Sequence, residues 1–463
     1  MGNAVQEDVN SPVSKTVVLL IVVLGSFLVV FMATSINVAL PSIGGELSMD
    51  PVLLSWVAMA YLLASAMFCI PFGRAGDILG RKRVYLWGIF IYTVSSLLCG
   101  LASSGRLLIS LRVVQGIGSA MVFATYLAIL SSVFTAGERG KALGINIAAL
   151  SIAASLGPFI GGILTQHLGW RSVFFVNVPL GLMVIAITSR ALRGEWADAR
   201  GERFDFVGSA VYSLSLVGIM YGISQLPGIS GASLILVGGV AMAGFVVWES
   251  RVEFPVLRLE LFTRNRAFVF SNLAALISFS AIYAVGFLLS LYLQQVKGLS
   301  PQVAGTVLLA QAGLQAVVSP FAGRLSDRVA SRVVSSIGMA LMATALGLFA
   351  FLGTNTSLTF VLAGLALLGG GFGLFSSPNM NAVMSAVEPS FYGLASATRS
   401  TVRTVGQVLS LAIATALLAT YMGRVEIAPE NYQLFLASTR TSFLIFAALC
   451  FGGIFASLQG DVH

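Results

Sequence analysis

Long apolar stretches alternate with short polar stretches along the whole chain of 463 residues. Fourteen of the apolar stretches are about 20 residues long, which is the length that an α-helix needs to cross a bilayer. The alternation of apolar and polar residues typical of membrane β-strands is absent from them, and isolated strands cannot satisfy their backbone in lipid. The pattern therefore predicts fourteen transmembrane helices. They are Thr16–Leu40, Leu53–Phe72, Val84–Ser103, Leu107–Phe134, Ala142–Leu168, Val173–Ser189, Phe206–Leu226, Ala232–Trp248, Ala267–Gln295, Gln302–Ala322, Val333–Leu352, Leu358–Val387, Ala395–Tyr421 and Thr441–Ser457.

The composition also indicates an all-α integral membrane protein. Hydrophobic residues make up 57% of the chain and charged residues only 10%, whereas soluble domains carry about 25% charged residues. The net charge of +8 is spread over short clusters between the apolar stretches. We therefore expect the lipid bilayer as a partner, and no nucleic acid. The three cysteines and two histidines have no metal-site spacing, so we expect no cofactor and no metal.

Lysine and arginine lie mostly on one set of the loops between the predicted spans. The opposite set holds only Arg106, Arg171, Lys297, Arg424 and Arg440. Because loops rich in lysine and arginine stay in the cytoplasm, we place both termini on the cytoplasmic side of the cell membrane.

A charged stretch between spans two and three, GRAGDILGRKR, has a partial copy after span ten, GRLSDRVASR. Repeats in transporters mark related halves that move against each other. We therefore predict two six-helix bundles with an inserted two-helix hairpin between them. The predicted units are a tail (1–15), a first bundle (16–190), linkers and hairpin (191–266), a second bundle (267–458) and a final tail (459–463).

The first charged stretch resembles the signature loop between helices two and three of the major facilitator superfamily. The matching residues are Gly73, Asp77, Gly80, Arg81 and Arg83. The resemblance implies a cytoplasmic latch. Glycines let helix ends approach closely, and Asp77 can pair with an arginine or lie at a helix N-terminus. The alternative is a plain loop whose charges only set the topology.

The second copy contributes Asp327 and Arg328 to the predicted latch. It departs from the first copy, because Ala330 replaces Gly80 and a serine replaces Arg81. We therefore expect a weaker latch in the second half. We also expect Arg399 and Arg403, which are spaced by one helical turn, to meet the latch.

Span four begins with LRVVQGIGSA, which places Arg112 inside the membrane with Gln115 one turn away. This stretch resembles the superfamily's second motif, in which the arginine is linked to proton coupling. A charged residue within a span is costly and is a functional candidate. The alternative is that Arg112 extends to the outer interface and keeps its charge in water.

Span five resembles the antiporter motif of the drug-exporting branches. The matching residues are Gly144, Gly157, Pro158, Gly161 and Gly162, whereas Ala153 stands where glycine is usual. We expect Gly157-Pro158 to kink the helix and the later glycines to allow close packing. Packing of small residues without any antiporter role is the alternative.

Three further stretches resemble the fourteen-span drug:proton antiporter family of multidrug exporters. They are GWRSVFFVNVPLG, WESRVEFPVLRLELFTRNRAF and YLQQVKGLSPQVAG. One departure concerns the first span, where Met32 occupies the place of the family's aspartate before Asn37. No other carboxylate lies deep in a predicted span. We therefore expect a neutral, zwitterionic or anionic substrate, because a desolvated cation would go unpaired.

Polar residues within the spans are candidates for the substrate cavity. They are Asn37, Tyr126, Gln311, Gln315, Asn379 and Asn381. Amides in lipid are costly without partners, so we expect them to face the bundle interior. The alternative for each is a structural hydrogen bond between helices, worth about 1 kcal/mol.

These observations predict a secondary transporter of the plasma membrane that exports drug-like small molecules by alternating access. The resemblance implies exchange for protons, although the first-helix carboxylate is absent. The alternatives are uptake or facilitated transport of a neutral or anionic metabolite, and a membrane sensor or scaffold that transports nothing. The sequence has no nucleophile–base pair or phosphate-binding loop, so we expect that the protein is not an enzyme. We expect a monomer.

Overall fold

A computed structural model describes residues 14–192, 194–226, 228–257, 265–326, 328–387, 392–423 and 425–459. These ranges are helical and contain no strand. The helices are α1 (Lys15–Leu47), α2 (Pro51–Leu79), α3 (Arg81–Gly100), α4 (Gly105–Val133), α5 (Ala136–Leu168), α6 (Arg171–Phe175), α7 (Asn177–Ala191), α8 (Phe206–Ser224), α9 (Ile229–Glu249), α10 (Arg266–Leu291), α11 (Pro301–Ser326), α12 (Ser331–Phe349), α13 (Leu358–Ser385), α14 (Tyr392–Met422) and α15 (Tyr432–Gln459). A π-helical turn, Tyr292–Val296, extends α10.

Fourteen helical segments in the described ranges are long and apolar enough to cross a membrane, with α6 and α7 together forming the sixth. The predicted number of spans is therefore confirmed. Several boundaries differ from the prediction, and two of them are instructive. Helix α1 continues through Pro41 to Leu47, and α15 begins at Tyr432 rather than Thr441. Both extensions carry polar residues, which a search for apolar stretches does not include.

Polar side chains just before the helices explain several of the observed starts. Each accepts a hydrogen bond from a backbone N–H of the first turn, which would otherwise lack a partner. Asp50 caps α2 in this way through Leu53 N at 2.8 Å, with Pro51 in the first helical position. Asp205 caps α8 through Gly208 N at 2.8 Å, and Asn265 caps α10 through Phe268 N at 2.9 Å.

The third and fourth spans of each six-helix bundle cross with glycine against glycine. In the first bundle, a Cβ added to Gly118 of α4 would lie 2.8 Å from the carbonyl oxygen of Gly88 of α3. In the second, a Cβ added to Gly371 of α13 would lie 2.8 Å from the carbonyl oxygen of Gly338 of α12. Backbones approach this closely only where side chains are missing. The same crossing in both bundles supports a common design.

We call the end of the molecule at which α1 begins and α2 ends the basic end, and the other end the opposite end. The two bundles are hydrogen-bonded to each other near the opposite end. Thr415 donates to Ser55 at 2.8 Å, and His167 lies 3.0 Å from Gln302. Halfway along, Ser155 of α5 donates to the carbonyl oxygen of Ala312 of α11 at 3.1 Å.

The hairpin formed by α8 and α9 lies against the line where α2 of the first bundle meets α14 of the second. Its hydroxyl groups bind the first bundle. Tyr212 donates to the carbonyl oxygen of Ala66 at 3.2 Å, and Ser213 donates to that of Met67 at 3.0 Å. The hairpin is therefore fastened to α2 and borders α14.

Candidate functional site

Arg112 is fully buried among the helices of the first bundle. Its Nε donates to the carbonyl oxygen of Val57 on α2 at 2.9 Å, and its Nη1 donates to Gln115. Gln115 in turn donates to Ser96 on α3 at 2.7 Å. The ring of Tyr61 lies 4.2 Å from the guanidinium carbon. Arg112 therefore does not extend to the outer interface, and it joins α2, α3 and α4 instead.

No carboxylate pairs with Arg112 among the residues that the structure describes. A carbonyl oxygen, an amide oxygen and an aromatic face surround the charge instead. Such neutral partners compensate a buried cation only in part, because they carry no opposite charge. The arrangement keeps a fixed positive charge inside the first bundle. A coupling role for Arg112 and Gln115 stays a prediction.

Two neighbouring groups of aromatic and polar side chains lie in the middle of the molecule, where the two bundles meet. We call Asn37, Phe123, Tyr126, Tyr283 and Arg403 the central cluster. The Arg403 guanidinium carbon lies 4.8 Å from the ring centre of Phe123, and the Tyr126 ring stands edge-on to Phe123 with centroids 5.5 Å apart. Tyr283 lies beside Asn37. The cluster thus contains one cation, polar groups and no carboxylate.

The Tyr126 hydroxyl lies beside Ser400 of α14, so the first bundle touches the second here. Nearer to the basic end than this contact, no hydrogen bond or ion pair between described residues joins the two bundles. Among the described residues, the hydrogen bonds between the bundles therefore lie in the middle and toward the opposite end. This arrangement suits a molecule that is closed at one end.

Arg399 lies inside the second bundle, away from the charged loop. It is buried and donates to Asn379 of α13, whose amide nitrogen donates to the carbonyl oxygen of Ser271 at 2.9 Å. Contrary to the expectation, neither Arg399 nor Arg403 pairs with Asp77 of the first charged loop, whose described partner is Arg81. Both arginines lie well inside α14 rather than at its start. Their side chains therefore point between helices, where Arg399 contacts Asn379 and Arg403 contacts Phe123.

The predicted cavity residues fall into three groups. Asn37 and Tyr126 belong to the central cluster. Gln311 and Gln315 are half-buried on α11, and the backbone of Gln311 packs closely against α13. Asn379 is engaged between helices, as the structural alternative predicts. Asn381 lies near the end of α13 at the basic end, where it is exposed and donates to Ser326 at 2.9 Å, and its assignment to the cavity stays a prediction.

The first charged loop is held by its own arginine and by the linker after the sixth span. Asp77 accepts from Arg81 Nε at 2.9 Å and Nη2 at 2.7 Å. Arg81 Nη1 donates to Ser132 at the end of α4 at 2.7 Å. The same guanidinium pairs with Asp198 of the linker at 2.7 Å. One arginine thus joins α2, α4 and the linker.

The linker also binds the backbone at the start of α3. The Glu195 carboxylate accepts from Lys82 N at 2.8 Å and from Arg83 N at 3.4 Å. It therefore neutralises N–H groups at the positive end of a helix dipole. Arg81 N donates to the carbonyl oxygen of Trp196 at 2.9 Å. We call residues 195–202 with the loop that they bind the linker clamp.

Two further contacts complete the linker clamp. Glu202 forms an ion pair with Arg74, and Ala199 N donates to the carbonyl oxygen of Asp77 at 2.9 Å. Gly73 lies inside this end of α2, facing Ala124 of α4. Sequence reasoning missed Glu195, Asp198 and Glu202. The available signal was the concentration of charge in this linker, which by itself names no partner.

Gly80 has a backbone conformation that the clamp requires. Its φ of 112° is in a region that residues with a side chain rarely adopt. A Cβ at this position would also lie 2.3 Å from the Glu195 carboxyl carbon. In the second copy, Ala330 has φ −48° and Arg328 is exposed. Asp327 lies outside the described residues.

The glycines of the antiporter-like motif bring α5 against two other helices. A Cβ on Gly157 would lie 1.9 Å from Thr34 Oγ1, and one on Gly161 would lie 2.8 Å from the carbonyl oxygen of Ser35, both on α1. A Cβ on Gly162 would lie 2.5 Å from the carbonyl oxygen of Pro301 on α11. Helix α5 runs unbroken through Pro158, and Gly144 has no close neighbour.

Met32 is fully buried and points into the first bundle. Its sulfur lies 3.4 Å from the amide nitrogen of Asn177 on α7. The position at which the resembling family carries an aspartate is thus packed beside a hydrogen-bond donor. No group of three or more metal-ligating side chains occurs in the described ranges.

The chain is similar to known membrane transporters over nearly its whole length. The profile of the Major Facilitator Superfamily matches residues 22–249 and 271–460. The riboflavin transporter RibZ of Clostridioides difficile is 30% identical over 95% of this chain and 96% of its own length. The multidrug resistance protein Stp of Mycobacterium tuberculosis is 33% identical over 86% of this chain and 75% of its own length.

An export protein and a solved transporter structure are also similar to this chain. The cephamycin export protein CmcT of Amycolatopsis lactamdurans is 33% identical over 86% of this chain and 84% of its own length. Among solved structures, a bacterial homologue of the human lysosomal transporter Spinster, in an inward-facing and unoccupied conformation, superposes with a TM-score of 0.70. It shares 18% identity, and the match covers 98% of this chain and 100% of that one.

Proposed function

This chain belongs to the Major Facilitator Superfamily, and we propose that it exports neutral or anionic small molecules across the cell membrane by alternating access. As a member it is a multi-pass membrane transporter and not an enzyme. The central cluster is the observation that carries the substrate class. It offers aromatic faces for flat molecules and the positive charge of Arg403, and its described residues include no carboxylate for a cation.

The arrangement of the bundles supports alternating access. Hydrogen bonds between the described residues of the two bundles lie at the opposite end and in the middle, and a substrate could therefore enter from the basic end. The proposal assigns the basic end, with both termini, to the cytoplasm, because lysine and arginine concentrate there. It treats 16–190 and 267–458 as the two moving units, with the remaining ranges as tails, linkers and hairpin.

Export is supported by relatives that are named as multidrug resistance and cephamycin export proteins. Close packing of α5 against α1 and α11 through the antiporter-like glycines also fits this direction, by resemblance. The second candidate is uptake of a neutral or anionic metabolite. It is favoured by the relative named as a riboflavin transporter, which aligns with this chain over almost its whole length.

Exchange for protons is part of the proposal, with Arg112 and Gln115 as the candidate coupling pair. Because the described spans offer no carboxylate near the central cluster, we expect weak coupling. The clamp residues Gly73, Asp77, Gly80, Arg81 and Arg83 would stabilise the basic end of the first bundle during the cycle. We propose that a monomer carries out transport, since each chain contains both bundles.

The test uses purified protein in liposomes loaded with a pH-sensitive dye. An anionic, a neutral and a cationic fluorescent compound of similar size are offered under a proton gradient of either direction. We expect transport of the first two compounds. Accumulation only from the cytoplasmic side would support export, and accumulation only from the outer side would support uptake. Transport of the cation alone would contradict the proposed substrate class.

The variant Arg403→Gln tests the central cluster directly. We expect anion transport to fall about tenfold, since an interaction with a charged group contributes about 1.5 kcal/mol. The neutral compound should change less. The matched control is Arg324→Gln, at an exposed position near the basic end of α11. Equal losses for both compounds would show that Arg403 serves stability rather than recognition.

A further inference from the structure

The inserted hairpin and the first bundle line an open cavity of about 640 Å³ at the opposite end. Its lining includes Asp50, Arg106 and Gln225, which lie at helix ends and form its rim, and Leu63 and Val217, which lie further along their helices. Its volume is within the range of about 300–1,000 Å³ that is usual for ligand sites. The cavity shares no residue with the central cluster. It is therefore a separate candidate site.

The cavity is polar at one end and apolar at the other. Its rim lies at helix ends, because Asp50 is the N-cap of α2, Arg106 is in the first turn of α4 and Gln225 follows α8. The rings of Trp56 and Tyr221, which also line it, are 5.5 Å apart. Tryptophan and tyrosine concentrate at the level of the lipid headgroups. The rim thus lies where water, headgroups and hydrocarbon meet.

The depth of the cavity corresponds to one leaflet of a bilayer. The helical stretch from Asp50 to Leu63 is about 20 Å long, at 1.5 Å for each residue. Half of a hydrocarbon core is about 15 Å thick, and the headgroup region adds the rest. A molecule that fills the cavity from rim to base therefore has the length of a lipid with its headgroup outermost.

The charges at the rim are opposite and do not pair with each other. The Asp50 carboxylate accepts one described hydrogen bond, from Leu53 N. Arg106 is exposed and forms no ion pair with any residue that the structure describes. A ligand that carries both an ammonium and a phosphate could satisfy both side chains at once. An anionic lipid would satisfy only Arg106 and would be repelled by Asp50.

We propose that this cavity binds a phospholipid with a zwitterionic headgroup, such as phosphatidylethanolamine. Its ammonium group binds Asp50, its phosphate binds Arg106, and one acyl chain lies along Leu63 and Val217. The lipid fills the space between α8 and the first bundle. It therefore stabilises the attachment of the hairpin independently of any transported substrate.

Native mass spectrometry of the purified full chain, with added phosphatidylethanolamine or phosphatidylglycerol, tests this site. We expect the wild type to retain phosphatidylethanolamine preferentially. Val217→Trp should lower its occupancy about tenfold, because the indole takes the space of the acyl chain. Leu214→Trp is the matched control, at a position on the same helix that is 68% exposed. It should leave occupancy unchanged.

Two variants test the headgroup contacts. Asp50→Asn keeps the helix cap, since asparagine caps as well as aspartate, and should abolish the preference for phosphatidylethanolamine. Arg106→Gln should weaken both lipids about fivefold, the effect of one basic residue beside a phosphate. The control Arg440→Gln, at an exposed position on α15, should weaken neither lipid.

Three results would overturn the proposal. The first is equal retention of both lipids by the wild type. The second is unchanged phosphatidylethanolamine in Val217→Trp. The third is displacement of the lipid by a transported compound, which would make the cavity a substrate site.

Discussion

The two copies of the charged loop differ more in their surroundings than in their sequence. The first copy is a one-residue connection, Gly80, between α2 and α3. The acidic linker 195–202 lies over it and binds both side chains and backbone. The second copy lies between the end of α11 and the start of α12, and its Arg328 is exposed. Both copies of the repeat therefore join two helices of their bundle, whereas only the first copy is bound by the acidic linker.

Two residues explain most of this difference. Gly80 adopts a positive φ and leaves room for the Glu195 side chain, whereas Ala330 has an ordinary φ and carries a Cβ. Arg81 binds three partners, whereas serine stands at the corresponding place in the second copy. A linker with the same acidic residues would therefore find no matching backbone in the second bundle.

Gly80→Ala should break the linker clamp. The added Cβ meets Glu195, and the φ of 112° becomes strained, at a cost of about 2 kcal/mol. Thermal unfolding of the purified protein should show a clearly lower Tm. The matched change Ala330→Gly in the second copy should cost only about 0.5 kcal/mol, through chain flexibility. Equal shifts in Tm would contradict the asymmetry.

Removal of the acidic side chains of the linker should free the first loop without strain. We expect the triple variant Glu195→Gln, Asp198→Asn and Glu202→Gln to shift the equilibrium between the conformations of the transport cycle several-fold. Partly exposed ion pairs contribute about 0.5 kcal/mol each. Spin labels at Arg83→Cys and Arg328→Cys would report a changed distance distribution. Glu253→Gln in the other linker is the control. An unchanged distribution in the triple variant would refute the role of the clamp.

Arg81→Lys should weaken the clamp more than Arg328→Lys weakens the second copy. A guanidinium binds Asp77, Ser132 and Asp198 together, whereas an ammonium group lacks this planar fork. The expected cost is about 1 kcal/mol for Arg81 and is negligible for the exposed Arg328. Tm values of the two variants measure it. A larger shift for Arg328→Lys would show that the second copy has partners of its own.

The smallest effect concerns Lys15 and Glu138, which pair α1 with α5 at the basic end of the first bundle. The hydrogen bond from Lys15 lowers the pKa of the Glu138 carboxyl. The pair therefore stabilises the fold above the usual pKa of a glutamate, and this stabilisation is lost as the pH falls through the lowered value. Both side chains are exposed, so the gain is small. The Tm difference between wild type and Glu138→Gln should disappear on acidification.

The number and positions of the spans could be predicted from the sequence because each span buries its own backbone hydrogen bonds and is recognisable by itself. Arg112 and Gln115 were predicted as a pair for the same local reason, being one turn apart. The partners of Arg399 were not predictable. Two arginines on one helix face specify a direction only once the helix is placed, and α14 turns them between helices rather than toward the loop.

The linker clamp was beyond sequence reasoning for a different reason. Lys82 and Glu195 are far apart in the chain, and one of the two partners is a backbone N–H that leaves no trace in residue identity. Gly80 is recognisable in the sequence as part of the motif, but the reason why a glycine is needed there depends on the Glu195 side chain that approaches it. Likewise, the contact between Met32 and Asn177 becomes visible only when α1 and α7 are packed together.

The fastening of the hairpin to α2 has a practical consequence for spectroscopy. Since Tyr212 and Ser213 bind carbonyl groups of the first bundle, a fluorophore on the hairpin would travel with that bundle. Val237 on α9 is 65% exposed and lies outside both candidate sites, so Val237→Cys is a suitable labelling position. Energy transfer from this label to one on α15 would record, in single molecules, the movement of the two bundles relative to each other. Neither probe would lie in the substrate path.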